Sequence, residues 1–373
     1  MNDILSRTPL YQKHLALGAR MVPFAGFSMP VQYHGVLEET KACRKTGGLF
    51  DISHMGQFSL KGKQAISKLQ PLVTNQLSKV AVGQAQYGFL CNETGGVIDD
   101  IIVYHRSENE VFLCVNASNR KADWDWLASH LSKDITLTDL SNETALIALQ
   151  GPESEALLMK LSPKSRVDDL NYYWAKETSL CDTPIFLSRT GYTGEDGFEI
   201  YVSSDNAAQV WDILMNEGTS RGIQPCGLGA RDSLRLEMGY PLHGHELSNE
   251  ITPLQAGLNW AVKLDAIPQF VGREALLKER QAGPRVQLKP FLIQDKRIAR
   301  QGYEIATPDK KVVGIITSGT FSPHRGCPIA LGFVQKEAFN HPQFLIKIRQ
   351  DWVPAEATSL PFVPSRVKKH RSP

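Results

Sequence analysis

No stretch of this 373-residue chain approaches the roughly 18 apolar residues of a membrane span. The opening residues Met1-Asn2-Asp3-Ile4-Leu5-Ser6-Arg7 lack the apolar centre of a secretory signal. Cysteine is sparse: the six residues Cys43, Cys91, Cys114, Cys181, Cys226 and Cys327 form no C-x-x-C pair, against both a zinc ribbon and a disulfide framework. Charge of either sign is also lacking in excess. Lys plus Arg number 41 against 39 for Asp plus Glu, a net of +2, which gives no footprint for nucleic acid or membrane. G-x-G-x-x-G after a strand, G-x-x-x-x-G-K-[ST] and H-E-x-x-H are all missing, which argues against dinucleotide, nucleoside triphosphate and zinc-protease readings. The expectation is a soluble, cytoplasmic protein.

At this length two or three domains are expected. Val36 to Arg44, Gln64 to Leu72 and Asp123 to Leu131 read as helices, Ala145 to Gln150 as a buried strand, and Gly151-Pro152-Glu153 as a helix start with proline in its first turn. After the helical Gly272 to Lys278, composition shifts at Gln281-Ala282-Gly283-Pro284-Arg285. A division into 1–280 and 286–373 follows, the second part reading as a small barrel or sandwich of short strands such as Val312 to Gly319 and Phe344 to Ile348. The end, Arg366-Val367-Lys368-Lys369-His370-Arg371, reads as a solvated basic tail.

The first concentrated signal is Asn92-Glu93-Thr94-Gly95-Gly96 followed by Val97-Ile98-Asp99-Asp100-Ile101-Ile102-Val103-Tyr104, a turn leading into a β-branched run that holds two acids. Strand alternation puts Ile98, Asp100, Ile102 and Tyr104 on one face and Asp99, Ile101 and Val103 on the other, so one acid faces inward. Spacing alone leaves a structural acid, satisfied by backbone N–H groups or an arginine, as the simpler reading. Asp100 has the better functional case, because Tyr104 beside it offers a ring and a hydroxyl to a polar heterocycle. The second signal is the glycine-rich turn Thr190 to Gly197 leading into Phe198-Glu199-Ile200-Tyr201-Val202. Glu195 and Asp196 read as exposed turn acids. Glu199 is either an exposed strand acid or, if Phe198 and Ile200 face a core, a carboxylate in a cleft. The third is Gly227 to Glu237, a helix in which Asp232 can pair with Arg235. Arg231 near its start faces an unfavourable dipole that an anionic or carbonyl-rich group would relieve. His243-Gly244-His245-Glu246 has zinc-type donors but no second ligand cluster, so no metal is expected. Asp51-Ile52-Ser53-His54-Met55 has triad residue types that one short strand cannot bring together.

Taken together the chain resembles the aminomethyltransferase, or T-protein, family of the glycine cleavage system. The resemblance rests on seven ordered segments: Arg7 to Tyr11, Met21 to Gly26, Phe50 to Gly56, Gly95 to Tyr104, Gly191 to Ile200, Gly227 to Glu237 and Ile316 to Pro323. Phe27 departs from the family's frequent Trp, and the carboxyl end is longer and more basic than in many members. The resemblance implies an α+β fold, a three-domain cloverleaf around a central folate cavity with a C-terminal β-barrel domain. It implies tetrahydrofolate as co-substrate and the lipoylated H-protein as partner, with the methylene of an aminomethyl group passed to folate and ammonia released. By matching motif positions it implies Asp100 as the catalytic acid, with Tyr87, Tyr104, Asn116, Tyr192, Glu199 and Arg231 as folate contacts and Met55 and Tyr172 as further lining. Two related readings compete. A folate-dependent demethylase of the sarcosine-oxidising kind needs a flavin domain for which no fingerprint exists here. The folate-binding protein of iron–sulfur maintenance carries a K-G-C-x-x-G-Q-E type segment absent from this chain.

Overall fold

The computed structural model describes residues 5–368. Two mainly antiparallel sheets form the body. One has five strands in the order Ala85–Cys91, Val97–Ser107, Glu110–Val115, Gly56–Lys61, Thr136–Asp139. The other has six, ordered Ala175–Leu180, Thr183–Ser188, Gly197–Ser203, Thr144–Gln150, Gly47–Asp51, Ile223–Pro225, of which only the last pairs parallel to its neighbour. A three-stranded sheet made of Ser6–Arg7, Phe27–Gln32 and Arg20–Phe24 precedes them.

Alternation along the strands gives each sheet two different faces. In Gly197–Ser203, Phe198, Ile200 and Val202 join Ala145, Ile147 and Leu149 of the neighbouring strand in one core, to which the helix Ala207–Thr219 contributes Trp211 and Leu214. In Val97–Ser107, Ile101 and Val103 pack with Phe58, Leu113 and Leu127. The remaining faces of the two sheets meet, and Tyr104, Phe112 and Cys114 pack there against Phe50, Leu146, Ala148 and Tyr201. Asp100 shares the Tyr104 face and Glu199 the Tyr201 face, so both acids point toward the join between the sheets.

The expected helices are present as Val36–Lys45, Ala65–Leu69 with a short 3-10 turn to Leu72, and Arg120–His130. The helix after Gly151 begins only at Ser154, leaving Pro152 in the turn before it. That turn is forced by Gly151, whose φ of 126° brings its Cα so close to the neighbouring backbone that a Cβ would lie 2.4 Å from the Cys43 carbonyl oxygen. A closed six-stranded barrel follows, ordered Val286–Ile293, Cys327–Gln335, Val312–Ser322, Glu304–Ala306, Gln343–Ile348, Asp351–Ala357. No helix among the described residues is long and apolar enough to cross a membrane.

Two further expectations are corrected by the tertiary structure. Glu195 and Asp196 are not exposed: Glu195, 2% exposed, pairs with Arg44 and Arg366, and Asp196 pairs with Arg189. The basic end is not a free tail either, since Arg366 donates its backbone N–H to Gly194 and Lys368 pairs with Glu155. Glu195, Arg366 and Lys368 find partners far apart in sequence that folding brings together, whereas Arg189, seven residues before Asp196, meets it across the closed glycine-rich turn. Lys369, His370 and Arg371 lie outside the described residues.

Candidate active site

Asp100 is held from two sides. Tyr87, on the neighbouring strand, donates its hydroxyl to Oδ2 at 3.0 Å, and Asn116, just beyond Glu110–Val115, donates Nδ2 to Oδ1 at 2.8 Å. The same amide reaches Asp99 Oδ1 at 2.8 Å. Burial, reinforced by the Asp99 charge, pushes the Asp100 carboxyl up to about 7 against the two hydrogen bonds that favour its ionised form. A carboxyl poised there can take or give a proton near neutral pH. Asp99 faces the other way and accepts from Asn116 N–H, Asn116 Nδ2 and Asn119 Nδ2, a satisfied structural acid.

Across the join, Glu199 accepts the Thr190 hydroxyl at 2.6 Å. Burial raises its carboxyl, opposed by Thr190 and by the Arg231 charge. Arg231 lies over the Tyr192 ring at 4.8 Å and forms no ion pair among the described residues. The anion near this helix start is instead Glu39, which is buried and accepts the Gly227 N–H at 2.8 Å. Arg235, four residues on, turns inward to Glu246 and Ser318. That use of Glu246 gives the His-Gly-His-Glu segment a structural explanation.

Glycines let the Thr190–Gly197 turn close. A Cβ at Gly191 would lie 1.9 Å from Gln150 Oε1, and Gly194, at φ +76°, would place one 2.2 Å from Met238 Sδ. Tyr192 is thereby stacked on Tyr240 with centroids 5.7 Å apart, its hydroxyl donating to the Pro241 carbonyl. Tyr172 meets Tyr173 edge-on at 4.8 Å, and Tyr173 lies within electrostatic range of both Asp100 and Glu199. Met55 packs at the edge of the core between the sheets. Tyr104 is deeper than a lining position: its hydroxyl is 3.1 Å from that of Tyr201, and its ring belongs to the aromatic packing with Phe112 and Phe186.

Sequence reasoning missed Trp260 and His54. Trp260 is 57% exposed and stacks on Tyr87 at 5.6 Å, beside the Asp100 hydrogen bond; nothing in Gly257-Leu258-Asn259-Trp260 signals it. His54 packs edge-on against Phe24 at 5.4 Å, and burial lowers it to about 4, so it is neutral at physiological pH. Its place in the Asp51 to Met55 segment was visible, but not its neighbours.

An α+β body of two facing sheets, each carrying a carboxylate toward the join and both attached to a closed barrel, defines a class that sequence comparison identifies. Residues 10–266 match the GCVT N-terminal domain, and residues 286–364 match the glycine cleavage T-protein C-terminal barrel domain. An aminomethyltransferase of Symbiobacterium thermophilum is 46% identical over 340 residues, 90% of each chain, and one of Shouchella clausii is 41% identical over 97% of this chain and 99% of its own. The crystal structure of glycine cleavage system aminomethyltransferase T from Bartonella henselae superposes with a TM-score of 0.92 at 34% identity, covering 98% of this chain and all of that one. The chain belongs to the glycine cleavage T-protein family. Its activity is that of an aminomethyltransferase of the glycine cleavage system.

Proposed function

We propose that Asp100 is the catalytic acid of this transferase and that Tyr87, Asn116, Tyr192, Glu199 and Arg231 hold tetrahydrofolate between the two sheets, with Met55, Tyr104 and Tyr172 shaping the space. The observation that carries the reading is the Asp100 carboxyl, pushed to about 7 and held by Tyr87 and Asn116. The donor set fits a folate. Glu199 can accept the paired N–H groups of an aminopyrimidine edge, Arg231 has no ion-pair partner among the described residues, and the stacked rings of Tyr192 and Tyr240 suit a flat heterocycle. Bound tetrahydrofolate supplies the nitrogens that accept the one-carbon unit. Asp100 orients those nitrogens and moves a proton at its free carboxylate lone pair, while the surrounding tyrosines keep water away.

The partner that delivers the carbon is the lipoylated H-protein, and the setting is the cytoplasm. We place the folate-binding region in residues 1–280 and the barrel domain in 286–373. Arg366 and Lys368 are engaged in ion pairs within the chain. Mixing the protein with tetrahydrofolate and aminomethylated H-protein should release ammonia and form methylenetetrahydrofolate, and unlipoylated H-protein should support neither. Equal ammonia release without folate overturns the reading.

A further inference from the structure

A third buried carboxyl, Asp123, stands behind the Asp99–Asp100 pair. Asp123, in the first turn of Arg120–His130, is fully buried, and neither of its side-chain oxygens meets an N–H or O–H donor. An ionised carboxylate so placed is costly, whereas a neutral acid needs only an acceptor for its own proton. The neighbouring acceptor is Asp99, which Asn119, four residues before Asp123 at the start of the same helix, reaches at 2.6 Å. The two acids differ sharply in their surroundings. Asp99 receives N–H groups from Asn116 N, Asn116 Nδ2 and Asn119 Nδ2 at 2.9, 2.8 and 2.6 Å, which stabilise a carboxylate, while Asp123 receives none.

We propose that Asp123 is a proton-bearing positioning residue: its carboxylic acid donates to Asp99, and the Asp99 carboxylate so held fixes the Asn116 amide against Asp100. The Asn116 Nδ2 group links the chain, lying 2.8 Å from one oxygen of each strand acid. One negative charge, not two, then stands behind Asp100. Burial, with Asp99 next to it, pushes Asp123 up to about 11, in agreement with a retained proton. The ionisable groups facing Asp123 are Asp99 and Asp100 from the adjacent strand; on its own helix Arg120 is taken by Asp139 and Lys121 by Asp125. Those facing Asp100 are Asp99, Asp123, Tyr87, Tyr173 and Tyr192, and burial raises all three tyrosines further above their ordinary alkaline range.

This inference rests on Asp100 as the reacting acid, and the test separates the two. Infrared difference spectra between the native chain and Asp123→Asn at pH 8 should contain the C=O band of a protonated carboxylic acid, sensitive to H/D exchange. Its absence overturns the proposal whatever Asp100 does. Asn at 123 still donates to Asp99, so the pH midpoint of kcat should stay within about 0.3 unit of the native value. A downward move of about a unit, as expected on deleting a charge, overturns it. Asp123→Leu removes the donor and should lower kcat about tenfold with a displaced midpoint, which the Asn variant restores. An unchanged Leu variant removes the positioning role; if that variant does not fold, the band and the Asn profile decide. Full turnover in Asp100→Asn would instead refute the catalytic reading while leaving the acid pair standing.

Discussion

Asp100 is expensive to ionise where it sits, and the cost has a sign that stability measurements can read. Its folded-state value of about 7 lies above the ordinary carboxyl range, so the unfolded chain ionises first as pH rises. Stability contributed by the neutral group is complete below about pH 4 and is lost as pH climbs toward 7. Asp100→Asn should therefore add ~1–4 kcal/mol of stability at pH 8, read as a higher melting temperature, and leave it unchanged at pH 4, while turnover collapses. Lower stability of the variant at pH 8 would show that the native carboxyl is not strained. Glu199→Ala should weaken folate binding by ~1–3 kcal/mol, since it leaves buried donors unpaired, and titration calorimetry reads this directly. At this scale the sequence was informative where alternation alone decides: the Asp100 and Glu199 faces follow from strand period. It was blind to Glu195, whose partners Arg44 and Arg366 come from elsewhere in the chain, and to Asp196, whose partner Arg189 is seven residues away but meets it only once the glycine-rich turn closes.

Among the elements, the helix Leu228–Met238 depends on a cap that its own sequence does not contain. Glu39 Oε1 accepts the N–H groups of Tyr33, His34 and Gly35, and its Oε2 accepts that of Gly227, so one buried carboxylate joins two helix starts. Glu39→Ala should cost ~2–4 kcal/mol, seen as a fall in the urea midpoint, with Glu39→Gln losing less. Equal stability of native and Ala chains would mean water replaces the carboxylate. The dipole at Arg231 was visible in Gly227 to Glu237; the answering acid, 188 residues away from Gly227, was not. Helices and strands with clear periodicity were legible for the same reason, because local burial pattern decides them. The Pro152 turn was misplaced because Gly151 closes against Cys43, a contact that exists only after folding.

For the whole molecule, the barrel is tied to the body by buried charge. Arg235 reaches Glu246 and Ser318, and Glu237 accepts from Arg44, Ser322 and His324. Arg235→Ala leaves Glu246 buried without its cation and should lose ~3–5 kcal/mol, measured by thermal unfolding. A smaller loss, under about 1 kcal/mol, would show that Thr317 and Ser318 satisfy Glu246 unaided. The cluster of Tyr104, Phe112, Phe186 and Tyr201 has a different consequence at this scale. Its rings stand between the sheets that carry Asp100 and Glu199, with centroids 5.2 to 5.9 Å apart. They act as a spacer whose thickness sets the gauge of the cleft. Trimming one ring would let the sheets settle together and narrow the gap between the two acids, so the span of the site is written in its aromatic packing.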